Sequence, residues 1–173
     1  GDATEKLYVE LPEGFTTITA NMFGDIQVRE IYIPASVTKI EEGAFGAQIY
    51  LTSIRVSFNN SKYRSQNGVL YNKKMTTLIC YPMSKKGSTF VVPDTVRKTA
   101  PLSFRGNYYL EKVVLPKNLR KLGRGSFLKS AISEWRCDGG VKKYEKSAFN
   151  YIDAADGCID NSTLFYGKRS EGL

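Results

Sequence analysis

Short apolar alternations recur along this chain at a constant offset from a proline. Three and one residues before Pro12, Pro34, Pro93 and Pro116 stand Val9/Leu11, Ile31/Ile33, Phe90/Val92 and Val113/Leu115, and Trp135/Cys137 bear the same relation to Asp138. Alternation over so short a span predicts a strand with one buried face. Eleven residues after each proline comes a phenylalanine (Phe23, Phe45, Phe104, Phe127), and Phe149 keeps the spacing from Asp138. Three residues after the proline position stand Phe15, Val37, Val96, Leu119 and Val141, and six after it Ile18, Ile40, Thr99, Leu122 and Tyr144. A small residue precedes the phenylalanine in four units (Ala44, Ser103, Ser126, Ala148) and Met22 in the first.

Successive phenylalanines lie 22, 59, 23 and 22 residues apart, which defines a unit of about 22 residues with one insertion. A coil of that length cannot bury its own apolar edge, whereas stacked coils share a continuous core. Proline closes each strand where its missing N–H costs little and its fixed φ helps turn the corner. The expected fold is therefore mainly β with short helical turns: a solenoid of about five 22-residue rungs with an inserted β-hairpin. A single domain over residues 7–166 is expected, with the insertion at 59–87 and flexible ends at 1–6 and 167–173. Within the insertion, 67–71 and 78–81 flank 72–77 in a hairpin pattern; 156–160 and 164–166 read as a shorter copy that caps the C-terminal end.

The segment from Ile31 to Phe45, IYIPASVTKIEEGAF, resembles the BspA-type leucine-rich repeat, whose units run approximately L-x-x-I-x-I-P-x-x-V-x-x-I-G-x-x-A-F. Leu51–Val56 and Leu110–Phe127 fit equally well, and the resemblance spans roughly residues 7–166. The chain departs from the pattern at Asp138 in place of proline, at Pro101, and in lacking the cysteine usual after phenylalanine. The resemblance implies a leucine-rich-repeat module that is secreted or held on a bacterial cell surface and serves adhesion or recognition.

Composition narrows the chemistry. The chain has no histidine, which removes Ser-His-Asp and Cys-His arrangements and argues against a zinc site at Cys80, Cys137 and Cys158. Three cysteines are too few for a disulfide framework, and free buried thiols acting as small apolar residues are expected, although Cys137 and Cys158 lie 21 residues apart. Ser126 and Lys129 match S-x-x-K, but Ser126 falls in the small inward column. Asp153, Asp156, Asp160 and Asn161 lack EF-hand spacing and suit turns. Gly123-Arg-Gly125 lacks the remainder of a phosphate loop, and the sequons at Asn59 and Asn161 matter only in a eukaryotic secretory pathway. No cofactor or metal is expected, and the chain reads as a non-catalytic binding module. No apolar run approaches the roughly 18 residues of a membrane span, so no membrane insertion is expected.

Charge adds a second picture. The net charge of +8 divides into −5 over residues 1–50, +15 over 51–150 and −2 over 151–173, and no acid lies between Glu42 and Asp94. Two surface columns follow from the repeat. The outward strand residues Glu10, Tyr32, Arg55, Val91, Val114 and Arg136 mix aromatic, arginine and apolar character suited to protein contact. The second column falls four and five residues after the proline position and contains Lys39, Arg97, Lys98, Arg120, Lys121, Lys142 and Lys143. At the ~4.8 Å strand spacing these form a ladder of like charge, which a purely structural role does not favour. Two partner classes stay open: a protein or glycan of a host or neighbouring cell on the strand face, or an acidic polysaccharide on the basic edge. Nucleic acid is the weaker candidate, because no recognition helix, zinc finger or RNP-like motif is present.

Overall fold

The computed structural model describes residues 7–137, Ala148 and the strand backbones at 143–145 and 164–166. In chain order the strands are β1 (Tyr8–Glu10), β2 (Thr17–Ile18), β3 (Glu30–Ile33), β4 (Lys39–Ile40), β5 (Ser53–Val56), β6 (Tyr63–Gln66), β7 (Val69–Asn72) and β8 (Thr77–Cys80). They continue with β9 (Thr89–Val91), β10 (Lys98–Thr99), β11 (Lys112–Leu115), β12 (Lys121–Leu122), β13 (Glu134–Cys137), β14 (Lys143–Glu145) and β15 (Leu164–Tyr166). Every apolar alternation read before a proline is the first strand of a rung, and the position six residues after it lies in the second strand. The five spaced units and the interrupted one, whose strands are β5 and β8, make six rungs. Between the second strand and the next rung the chain runs in single turns, such as Ala44 N–H to Glu41 O at 3.1 Å and Gly46 N–H to Gly43 O at 2.9 Å; no helix occurs among the described residues.

Stacking is parallel and in register. Ile31 lies between Val9 and Ile54, and Val113 between Phe90 and Trp135, so like columns face like. Ile31, Ile33, Ile54, Val113 and Leu115 are fully buried. The phenylalanines stack as expected: Phe104 and Phe127 are wholly buried with ring centroids 5.0 Å apart, and Phe23 and Phe45 lie 6.2 Å apart. Tyr81 takes the phenylalanine place in the interrupted rung. Its N–H donates to Ser103 O as the Phe104 N–H donates to Ser126 O, and its ring stacks 5.3 Å from Phe104. Phe15 departs from its column, being 40% exposed in the first rung, whose β2 pairs with β4 alone among the described strands.

The insertion holds a further hairpin besides the one expected, and it packs into the stack. Asn67-Gly68 is itself a two-residue turn with both φ angles positive (51° and 79°), the signature of a tight hairpin, and it joins β6 to β7. A second reversal joins β7 to β8, and β8 then pairs parallel with β10. The resulting sheet runs β15-β14-β12-β10-β8-β7-β6, so the insertion becomes a wall of the solenoid. Strand β7 is buried on both faces: Val69 and Tyr71 enter the core of the later rungs, while Leu70 enters the core shared by Leu11, Ile31, Phe45 and Ile54. The rungs on either side therefore stack through the insertion, and the core divides into two clusters at it.

The same division interrupts the ladders. First strands form two sheets, β1-β3-β5 and β9-β11-β13, and β2-β4 stands apart from the sheet that holds β8, β10, β12 and β14. At this seam the Ile40 N–H of β4 donates to the Tyr63 hydroxyl at 2.9 Å, a side chain taking the place of the next strand.

Buried amides tie rungs together. Asn60 donates to Pro34 O and Val37 O, both at 2.9 Å, and accepts from the N–H groups of Lys62 and Tyr63. Asn107 repeats the arrangement with Pro82 O, Lys85 O and the N–H groups of Tyr109 and Leu110. Four bonds satisfy each amide completely, which removes the cost of burying it.

The expectation of free cysteines is corrected at one position: Cys137 is disulfide-bonded, and its partner lies outside the described residues. Cys80 is free. The carboxylate cluster at 153–161, the expected ends at 1–6 and 167–173, and the 156–160 half of the second hairpin also lie outside the described residues. The other half, β15, pairs parallel with β14.

Candidate functional site

The six outward residues of the first strands all face solvent in part or in full, because each alternates with a buried neighbour across the pleat. The seam divides them into two rows. Glu10, Tyr32 and Arg55 are direct neighbours on β1-β3-β5, and Val91, Val114 and Arg136 on β9-β11-β13. Val91 is 63% exposed. Beside the second row Lys112 and Glu134, facing each other across β11 and β13, form an ion pair at 2.9 Å.

A further column was missed in the sequence. Large apolar residues are exposed in the loops leading into first strands: Ile26 before β3, Ile49 and Tyr50 before β5, Tyr108 and Tyr109 before β11. Tyr108 is 74% exposed, and the Arg29 guanidinium lies 5.8 Å from the Tyr50 ring centre. The signal was present as aromatic or aliphatic residues recurring three to five positions after the phenylalanine column. It was obscured because the same loops also carry the inward-facing Gln48 and Asn107.

The basic ladder forms in part. Lys98 lies between Thr77 and Lys121, and Lys121 beside Lys143. The preceding residues follow the same order, with the Arg120 N–H donating to Arg97 O at 2.7 Å. Lys98 and Arg120 are exposed, whereas Arg97 turns its guanidinium back onto Asp94 O at 2.7 Å. Lys39 sits on β4, in the separate two-stranded sheet beside Thr17, and does not join the ladder. Lys142 and the Lys143 side chain lie outside the described residues.

Ser126 is buried and hydrogen-bonded to Gly123 O (2.7 Å) and the Thr99 hydroxyl (2.8 Å), which accounts for the S-x-x-K match without chemistry. Gly123 is there because its neighbour rung comes so close: a Cβ would stand 2.6 Å from Thr99 O. Among the described residues no three His, Cys, Asp or Glu side chains gather in a way that could hold a metal ion, and no helix is long and apolar enough to cross a membrane.

The BspA type leucine rich repeat region matches residues 4–86 and 78–158, in six copies, agreeing with the six rungs. The chain belongs to the BspA-type leucine-rich repeat family. Solved structures similar to this BspA-type chain include a leucine-rich repeat protein from Eubacterium ventriosum (29% identity, TM-score 0.65, covering 80% of this chain and 44% of that one). They also include the pneumococcal vaccine antigen PcpA (25% identity, TM-score 0.71, 83% and 42%). A leucine-rich cell surface protein from Faecalibacterium prausnitzii shares the fold (20% identity, TM-score 0.57, 95% and 61%). The BspA-type chain thus spans less than half the length of the first two. Among curated proteins none matches it by sequence. It is a repeat-based module with a fold that presents one surface from each rung.

Proposed function

We propose that this protein is a non-catalytic adhesion module of the bacterial cell surface, which binds a protein or glycan of a host or neighbouring cell through its first-strand face. The observation that carries this reading is the adjoining of Val91, Val114 and Arg136 on one ladder with Tyr108 and Tyr109 on the loop that feeds it. Exposed tyrosines and arginine beside apolar strand positions are what dominates protein–protein contacts, since they present large area at low entropic cost. Membership of the BspA-type family and likeness to a pneumococcal vaccine antigen support the location. The test is an array of extracellular-matrix proteins and glycans probed with the labelled chain, with each hit repeated for the Tyr108→Ala/Tyr109→Ala double variant. Binding weakened tenfold or more, without loss of thermal stability, is the expected result; hits unaffected by the double variant and by Val91→Lys would place recognition elsewhere.

A second reading rests on a separate observation, the register of Lys98, Lys121 and Lys143 on neighbouring strands. Such a row suits an acidic polysaccharide, whose repeating charges match a repeating cation.

A further inference from the structure

The seam between the two core clusters leaves a cavity of about 240 Å³ between the turns of the second and fourth rungs. It lies where the third rung is interrupted by β6 and β7, so that β4 is met by the Tyr63 side chain and not by β8. Its walls are apolar, formed by Phe45, Leu51, Ile79, Met83 and Leu102. Cys80 contributes a neutral thiol, since burial pushes its pKa up to about 12. A cavity of about 150 Å³ lined this way holds benzene, so this one has room for a ring and a short polar arm.

The charged groups around it are few. Glu41 directs its carboxylate to the Ala20 N–H of the first rung at 2.9 Å, and Glu42 pairs with Arg124 across the seam. That leaves Arg105, half-buried on the lining beside the Gly46 backbone, which forms no ion pair with any described residue. Glu41 and Glu42 also stand on the lining, each with its carboxylate engaged by a partner, so the planar guanidinium at the side of this largely apolar cavity is the group left to receive a carboxylate in a bidentate manner.

We propose that the seam cavity binds a small apolar monocarboxylate, its hydrocarbon body between Phe45, Ile79 and Leu102 and its carboxylate on Arg105. The strand face and the basic ladder take no part, so the site stands or falls independently of the adhesion reading. A ligand here bridges both core clusters and stabilises the junction between them.

Methionine methyl groups report on it directly. Met83 lines the cavity, whereas Met75 is buried in the later-rung core and Met22 packs against the earlier one. The chain labelled at its methionine methyls would be titrated by NMR with 3-phenylpropanoate, 3-phenylpropanamide and 3-phenylpropylamine. The carboxylate is expected to shift Met83 selectively with a Kd on the order of 0.1–1 mM. The amide should bind about tenfold more weakly, as should the carboxylate to Arg105→Gln. Unchanged Met22 and Met75 signals in that variant establish that it is folded; if they change, the carboxylate–amide comparison on the native chain decides. No Met83 shift at millimolar carboxylate, equal binding of acid and amide, or tighter binding of the amine would each overturn the proposal.

Discussion

At the scale of single residues, the small position before each phenylalanine shows how one column carries different chemistry. Ala44 and Ala148 fill it with a methyl group, and Ser126 fills it with a hydroxyl shared between Thr99 and Gly123. Ser103 is equally buried, yet its hydroxyl finds no hydrogen-bond partner among the described residues. Opposite outcomes are expected from the same change. Ser103→Ala removes an unsatisfied polar atom and should leave the protein between unchanged and about 1 kcal/mol more stable. Ser126→Ala strands the Thr99 hydroxyl and should cost about 1–3 kcal/mol. Urea melts of the two variants measure the contrast, and equal effects would mean the hydroxyls are not distinguished by their partners. That the column is small and inward was legible from its spacing; which serine is satisfied depends on Thr99 standing where Ile18, Ile40, Leu78 and Leu122 stand in other rungs.

At the scale of elements, the insertion illustrates both the reach and the limit of local pattern. The runs 67–71 and 78–81 contain β7 and β8, which pair antiparallel, and no helix interrupts them. Strand β6 escaped notice because 63–66 reads Tyr-Arg-Ser-Gln, without the aliphatic alternation of a half-buried strand, and because Asn67-Gly68 was placed at the head of β7 instead of at a turn. Gly68 is constrained twice over, by a φ of 79° and by Ser53, whose hydroxyl would lie 2.8 Å from a Cβ. Gly68→Ala should therefore destabilise by about 1–3 kcal/mol, the left-handed backbone alone accounting for about 1–2. Adding Ser53→Ala relieves the hydroxyl overlap and should restore part of the loss, while the backbone share remains. A double-mutant cycle without coupling would remove Ser53 from the account.

At the scale of the whole molecule, charge and stacking meet on one wall. Net charge concentrated over residues 51–150 would act as a directional field only where second strands line it up, and the backbone register sets Lys98, Lys121 and Lys143 on neighbouring strands. If that row binds a polyanion, affinity for heparin should fall steeply with salt. Arg120→Gln/Lys121→Gln should then weaken it more than Lys74→Gln/Lys86→Gln, although both remove two charges. Stability should change by no more than about 0.5 kcal/mol in either case. Salt-dependent retention on a heparin column measures this. Equal losses would show that net charge alone acts, and the strand face with Tyr32, Arg55, Val114 and Arg136 would remain the recognition surface.

The rung length, its register and the alternation of the first strands were settled by the sequence alone, because they follow from a period, and a period is a local property that stacking repeats unchanged. Where the stack is interrupted was not local. Strand β7 can face two ways, and only the packing of Leu70 against one core and of Val69 and Tyr71 against the other decides that β8 joins β10 while β4 is met by the Tyr63 side chain. From that one choice come the two separate strand faces, the isolation of Lys39 from the basic ladder, and the cavity beside Arg105. Each depends on contacts between residues far apart in the chain, which a column of aligned repeats does not contain.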